Sequence, residues 1–183
     1  ASTAAAIAVK NYLKKSGKKG TIKLFGCPAE EGGSGKVYMT RAGLFDDLDV
    51  ALHWHADSKN SAGIRPALAN KSAKFRFYGI AAHAAGAPEM GRSALDAVEA
   101  MNTMVNMMRE HVTDDTRIHY VITRGGEAPN VVPDFAEVYY YSRHSTRDEV
   151  IRVFDRIVDA ARGAALGTGT TMEYEMIGGT HEL

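Results

Sequence analysis

The stretch Thr21-Ile22-Lys23-Leu24-Phe25-Gly26-Cys27-Pro28-Ala29-Glu30-Glu31-Gly32-Gly33 sets how the chain is read. Lys18-Lys19-Gly20 before it has the character of a turn, and the apolar run Ile22 to Phe25 makes 21–26 a short buried strand. The acid pair Glu30-Glu31 then sits just past the strand's C-terminal end, where open α/β sheets bind ligands. Adjacent carboxylates repel, and a cation or a proton relieves them. A divalent metal suits the pair: one Glu ligates it while the other stays free to accept a proton. A solvated loop with two ordinary surface acids accounts for the same residues.

Working outward, Ser2 or Thr3 is placed to cap a first helix with Ile7, Val9, Tyr12 and Leu13 on a loose apolar stripe ending at Gly17. Ser34 is placed to cap a second helix through about Arg41, with Gly43 as its stop. Asp49-Val50-Ala51-Leu52-His53-Trp54-His55 reads as another strand. Helix, strand, helix, strand implies a parallel sheet with right-handed crossovers, and puts Glu30-Glu31 and His53/His55 at one sheet edge. A loop rich in Ser, Asn, Gly and Pro over 56–70 marks a domain boundary.

Beyond it the period changes. Lys74, Arg76 and Tyr78 alternate with Phe75 and Phe77, a half-buried strand. A small-residue loop with one imidazole, His83, follows. Ser93 with Asp96 begins a long helix with Leu95, Val98, Met101, Val105 and Met108 inward; core packing explains these methionines better than a soft-metal face. Residues 117–123 and 135–143 read as strands. The run Tyr139-Tyr140-Tyr141 cannot form one stacking platform, because alternate strand residues face opposite ways. Thr146-x-x-Glu149 is a capping box opening a helix with Val150, Val153, Phe154, Ile157 and Ala161 inward. A last strand over 170–177 is expected to break at Gly178-Gly179. The order β-α-β-β-α-β is the ferredoxin-like split βαβ. The chain is therefore read as α/β plus α+β: a partial parallel-sheet domain over 1–69, a ferredoxin-like unit over 70–177, and a return segment over 178–183. About 68 residues with two strands bury too little surface to stand alone.

The 183 residues carry 22 basic and 22 acidic side chains, which argues against a surface given over to nucleic acid or a polybasic membrane anchor. No apolar run reaches the roughly 18 residues that span a bilayer. The single cysteine, Cys27, excludes an internal disulfide framework and fits a reducing cytosol, so a cytoplasmic location is expected. The Ala-rich start without an initiator Met suggests a piece of a longer protein. Gly32-Gly33-Ser34-Gly35-Lys36 does not make a phosphate loop: Glu30 stands where the first glycine belongs, and Val37 follows the lysine. Cys27 with His53 would make a nucleophile and base, but no third group orients them.

Phe25-Gly26-Cys27-Pro28-Ala29-Glu30-Glu31, Ala51-Leu52-His53, Gly79-Ile80-Ala81-Ala82-His83-Ala84, Gly126-Glu127-Ala128-Pro129-Asn130-Val131-Val132-Pro133 and Arg143 come in an order that resembles the aminoacylase/carboxypeptidase family of two-metal amidohydrolases. The resemblance covers essentially the whole chain. It implies a metal-binding catalytic domain with an inserted lid that also forms a homodimer. It implies zinc or manganese, two ions per site in the parent enzyme, and small N-acyl amino acid substrates such as aminobenzoyl-glutamate. Glu30 resembles the general base that deprotonates the metal-bridging water. Glu31 and His53 resemble metal ligands. His83 resembles the lid histidine that reaches across the dimer to the other protomer's site and stabilises the oxyanion. Asn130 and Arg143 resemble the lid residues that hold the substrate carboxylate. His55, on the same strand face as His53, is a second ligand or a supporting group. His111, His119 and His144 are read as structural or surface residues.

The family's upstream Cys/His/Asp motif and its downstream ligand His are not in this sequence. With Glu31 and His53 as the only ligands, metal binding by this chain is expected to be weak or nil. The alternative function is a non-catalytic dimerisation or binding module of the lid fold.

Overall fold

The computed structural model describes residues 1–62 and 66–183. The chain forms two compact units, Ala1–Ile64 and Arg65–Leu183. The loop expected over 56–70 includes residues 63–65, which lie outside the described residues.

The first unit carries helix α1 (Ser2–Ser16) and helix α2 (Gly35–Arg41). α1 begins a residue earlier than expected, so Ser2 and Thr3 lie within it and Ala1 is its cap; it stops where Gly17 turns left-handed at φ 67°. Ser34 does precede α2, but its side chain makes no capping bond. The segments 21–26 and 49–55, expected as strands, form no regular element, and no ladder joins them among the described residues. A parallel sheet needs apolar faces covered on both sides. Here no described residue of the unit is buried, and Leu52 is 93% exposed. Phe25 packs edge-on against Phe45 at 5.0 Å, a local contact rather than a core.

The second unit runs β1 (Ala69–Tyr78), α3 (Ala94–Met108), β2 (Arg117–Arg124), β3 (Phe135–His144), α4 (Arg147–Thr168) and β4 (Thr171–Thr180). The sheet order is β2-β3-β1-β4 and every pair is antiparallel, the ferredoxin-like arrangement expected from the element order. Alternation puts Ala73, Phe75 and Phe77 of β1 and Ala136, Val138 and Tyr140 of β3 into the core. Val98, Met101 and Val105 of α3 and Phe154, Ile157 and Ala161 of α4 complete it. The methionines of the α3 stripe are packing residues, as the periodicity implied, though Leu95 lies at the rim and Ala94 and Ala97 take its place inside.

Two local expectations fail because distant residues compete. Thr146 caps α4 by position, but its hydroxyl turns to His144 Nδ1 at 3.2 Å and the capping box does not close. Glu149 pairs with Arg152, and the cap amide it would have bound, Thr146 N, donates to His144 Nδ1 at 3.0 Å, while the first helical amide, Arg147 N, donates to Glu182 Oε2 at 3.1 Å. Gly178-Gly179 does not break β4. The strand continues past them through a bulge opposite Ser72/Ala73, with Gly178 paired to Ser72 and Gly179 to Lys71. A Cβ at Gly179 would lie 3.3 Å from Asn70 O, which suits glycine there.

The sheet face away from the helices carries a charged network. Arg76 Nε donates to Glu137 at 2.8 Å and its Nη2 to Glu175 at 2.6 Å, while Lys74 and Thr123 also reach Glu137. Burial pushes the Glu137 carboxyl up, but the bonds from Thr123, Arg76 and Lys74 outweigh it and hold the group below its ordinary value.

Candidate functional site

β1 and β3 do not end together with their ladder. Past Tyr78 the chain keeps pairing: Gly79 N donates to Asp134 O at 2.8 Å, Val132 N to Ala82 O at 2.9 Å, and Ala84 N to Asn130 O at 3.0 Å. A bridge joins His83 to Val131. The loops 79–84 and 130–134 thus form a narrow ribbon beyond the sheet. Ile80 and Arg92 exchange both backbone bonds on its other side. A Cβ at Gly79 would fall 1.9 Å from Arg92 O, so only glycine permits this approach.

The ribbon brings two of the expected site residues together, His83 and Asn130. Both are exposed, and the Asn130 carboxamide has no partner among the described residues. The His83 ring is held from below: Nδ1 accepts from Ala85 N at 3.2 Å and Gly86 N at 3.0 Å. Those amides left no trace in the sequence beyond the small residues after His83.

Arg143 is not with them. It pairs with Asn70 on β1 and Arg117 on β2, at the end of β3 opposite Phe135. At ~3.3 Å per residue, that is about 26 Å along the strand. Its guanidinium lies 5.0 Å over the Tyr141 ring and meets no carboxylate among the described residues. One sheet therefore carries an imidazole and a carboxamide at one end and a guanidinium at the other.

In the first unit, Glu30 and Glu31 sit in a tight exposed turn closed by Gly33 N donating to Ala29 O at 2.9 Å. Ala29 and Ser34 flank the turn at φ 52° and 50°, left-handed values uncommon outside glycine. A Cβ on Gly35 would meet Pro28 O at 2.1 Å, so the loop doubles tightly back on itself. His53 is exposed on irregular chain, and His55 Nδ1 lies 2.8 Å from Ala56 O. Among the described residues no three His, Cys, Asp or Glu side chains come together to hold a metal.

His144, read as structural or surface, is buried and structural. Nε2 lies 2.9 Å from Asp115 Oδ1, and Nδ1 accepts from Thr146 N at 3.0 Å. Hydrogen bonds from Ser145 and Thr113 hold the Asp115 carboxyl at about 2, below its ordinary range. The tyrosine run splits as alternation requires: Tyr140 enters the core while Tyr139 and Tyr141 share the outer face, hydroxyls 3.4 Å apart.

An antiparallel four-stranded sheet with two helices on one face, carrying His83 and Asn130 on a paired ribbon beyond it, defines a ferredoxin-like α+β domain. Residues 69–168 match the M20 peptidase dimerisation domain, and the chain belongs to that family. It is 51% identical over 174 residues to one of the subunits of p-aminobenzoyl-glutamate hydrolase from Escherichia coli (strain K12), covering 94% of this chain and 36% of that protein. It is 34% identical over 174 residues to the Xaa-Arg dipeptidase of Mus musculus, covering 94% of this chain and 40% of that protein. The crystal structure of an aminobenzoyl-glutamate utilization protein from Klebsiella pneumoniae superposes with a TM-score of 0.72 at 28% identity, over 97% of this chain and 47% of that one. The chain thus spans less than half the length of each of these relatives. No described helix is long and apolar enough to cross a membrane.

Proposed function

We propose that this chain is the lid and an adjoining part of the catalytic domain of a cytoplasmic amidohydrolase. The parent would cleave the amide bond of small N-acyl amino acids of the aminobenzoyl-glutamate kind. The relatives named as hydrolases and a dipeptidase support the reaction class. Glu30 is the base that takes a proton from water and passes it to the leaving amine. Glu31 and His53 would supply two donors toward zinc or manganese, with the remaining ligands from outside this chain. Bound metal would supply an acidified water and a polarised carbonyl. His83 donates to the developing oxyanion, and Asn130 and Arg143 hold the substrate carboxylate.

The observation that carries the reading is the separation of His83 and Asn130 from Arg143 along one sheet. Groups a strand's length apart cannot grip one small molecule from a single lid. A two-fold dimer resolves this, because each site then takes the guanidinium of one lid and the imidazole of its partner. The free edge of β2 is the natural seam. Val121 and Ile122 there are 55% and 39% exposed, and Met104 and Met107 of α3 are exposed too. The test is hydrolysis of aminobenzoyl-glutamate by the full-length parent, with Glu30→Ala as control. Turnover that survives Glu30→Ala removes the proposal.

A second reading, a non-catalytic dimerisation module, is favoured by one observation. The ferredoxin-like unit has a complete core, whereas no described residue of the first unit is buried. An intact metal motif found in the flanking coding sequence would argue against it.

A further inference from the structure

We propose that the main-chain amides of Ala85 and Gly86 lock the tautomer of His83, so that the ring always presents Nε2–H outward as a donor. The role this gives His83 at an oxyanion rests on the function proposed above; the lock itself does not.

A neutral imidazole has one donor nitrogen and one acceptor nitrogen. Two N–H groups converge on Nδ1 of His83, from Ala85 at 3.2 Å and Gly86 at 3.0 Å. Only a lone pair satisfies both. A proton on Nδ1 would face two other protons and leave two amides without an acceptor, so the hydrogen belongs on Nε2. The amides cannot swing away cheaply. Ala87 N donates to His83 O at 3.0 Å, closing the turn that carries them. The bridge of His83 to Val131 and the bond from Ala84 to Asn130 O anchor the residue's own backbone.

The packing agrees. A Cβ on Gly86 would lie 3.4 Å from Nδ1 and 3.6 Å from Cγ of the ring, ordinary contact distances, so the backbone runs directly against the imidazole. The ring is therefore held in position and in proton location by backbone alone, with no carboxylate behind it among the described residues. An ordinary orienting carboxylate would raise the ring's basicity. Two amides instead fix where the hydrogen of the neutral ring sits. Such a group can stabilise an oxyanion without first having to shed or rotate a proton. Ala85 and Gly86 are positioning residues, acting only through His83.

The test is ¹⁵N NMR of the histidine rings in this 183-residue chain, at neutral to mildly alkaline pH, with His83→Ala to assign the signal. The expected result is a single tautomer for His83, with a protonated Nε2 and a bare Nδ1. Averaged nitrogens, or a protonated Nδ1, would overturn the proposal. Gly86→Pro deletes one of the two donors and is expected to move the signal toward a tautomer mixture; an unchanged signal in the folded variant also overturns it. Because that variant risks the turn, the wild-type spectrum stands as an independent readout.

In the full-length parent, His83→Gln keeps an outward N–H near the place of Nε2 and His83→Asn does not. kcat is expected to be about tenfold or more higher for the glutamine variant, with KM less affected. A locked ring with equally inactive variants would count against the oxyanion role and leave the lock standing. An unlocked ring sinks the lock whatever the kinetics.

Discussion

The amide of Ala84 donates to the carbonyl of Asn130 at 3.0 Å, and this bond, with its neighbour from Val132 to Ala82, is what sets His83 beside Asn130. The ribbon depends on glycine at the crossing. A Cβ on Gly79 would lie 1.9 Å from Arg92 O, and one on Gly91 would lie 2.9 Å from a Val132 methyl. Gly79→Ala is expected to cost about 3 kcal/mol through forced backbone displacement. Urea unfolding should show a lower midpoint with an unchanged slope. In the parent, activity should fall further than the loss of stability explains.

Tyr140 is fully buried, and its hydroxyl donates to Asn102 Oδ1 at 2.5 Å. Burial pushes the phenol far above its ordinary range, so it stays neutral. Tyr140→Phe removes the donor but leaves the Asn102 carbonyl stranded in the core. That should cost about 1–3 kcal/mol. The double variant Tyr140→Phe/Asn102→Leu should recover part of it, measured by the same unfolding series, because it removes both polar groups together.

Acid should weaken the second unit in a defined window. Asp115, held at about 2 by Ser145 and Thr113, and Glu137, held below 4.5 by its partners, both titrate lower when folded than when unfolded. Such groups give stability that is complete above the unfolded value and lost as pH falls through the folded one. The unfolding midpoint should therefore hold steady with respect to these two groups above about pH 5 and decline toward about pH 2. Glu137→Gln should flatten the upper part of that decline and Asp115→Asn the lower part. A decline of equal slope in both variants would rule out this assignment.

The β2 edge makes the association testable without chemistry. Val121→Lys places a charge on the exposed outer edge while leaving the core untouched. Sedimentation of the wild-type chain at high concentration should show dimer, and the variant monomer. A wild-type chain that stays monomeric throughout would remove the edge proposal for this chain.

Zinc titration by calorimetry is expected to yield weak binding at most, because Glu31 and His53 are two donors where a closed site needs four. Tight stoichiometric uptake would mean that the first unit assembles further ligands. His53→Ala would then identify whether the expected histidine is among them.

The strands and helices of the second unit were legible along the chain, because side-chain periodicity is a local property. Alternation marked Phe75 and Phe77 for the core, and spacings of three and four marked Val98, Met101 and Val105. The order of those elements was enough to define a ferredoxin-like sheet. What no local pattern carried was long-range competition and register. Glu182 reached back to the first amide of α4, and Ser72 and Lys71 drew Gly178-Gly179 into a strand. The pairing of loops 79–84 and 130–134 joined His83 to Asn130, while the register of β1 on β3 sent Arg143 to the far end. The motif order named the candidate residues, but whether two of them meet depends on hydrogen bonds between segments far apart in the chain. Likewise 21–26 and 49–55 have the composition of strands, yet a strand exists only where a neighbour accepts its bonds, and here they remain irregular chain.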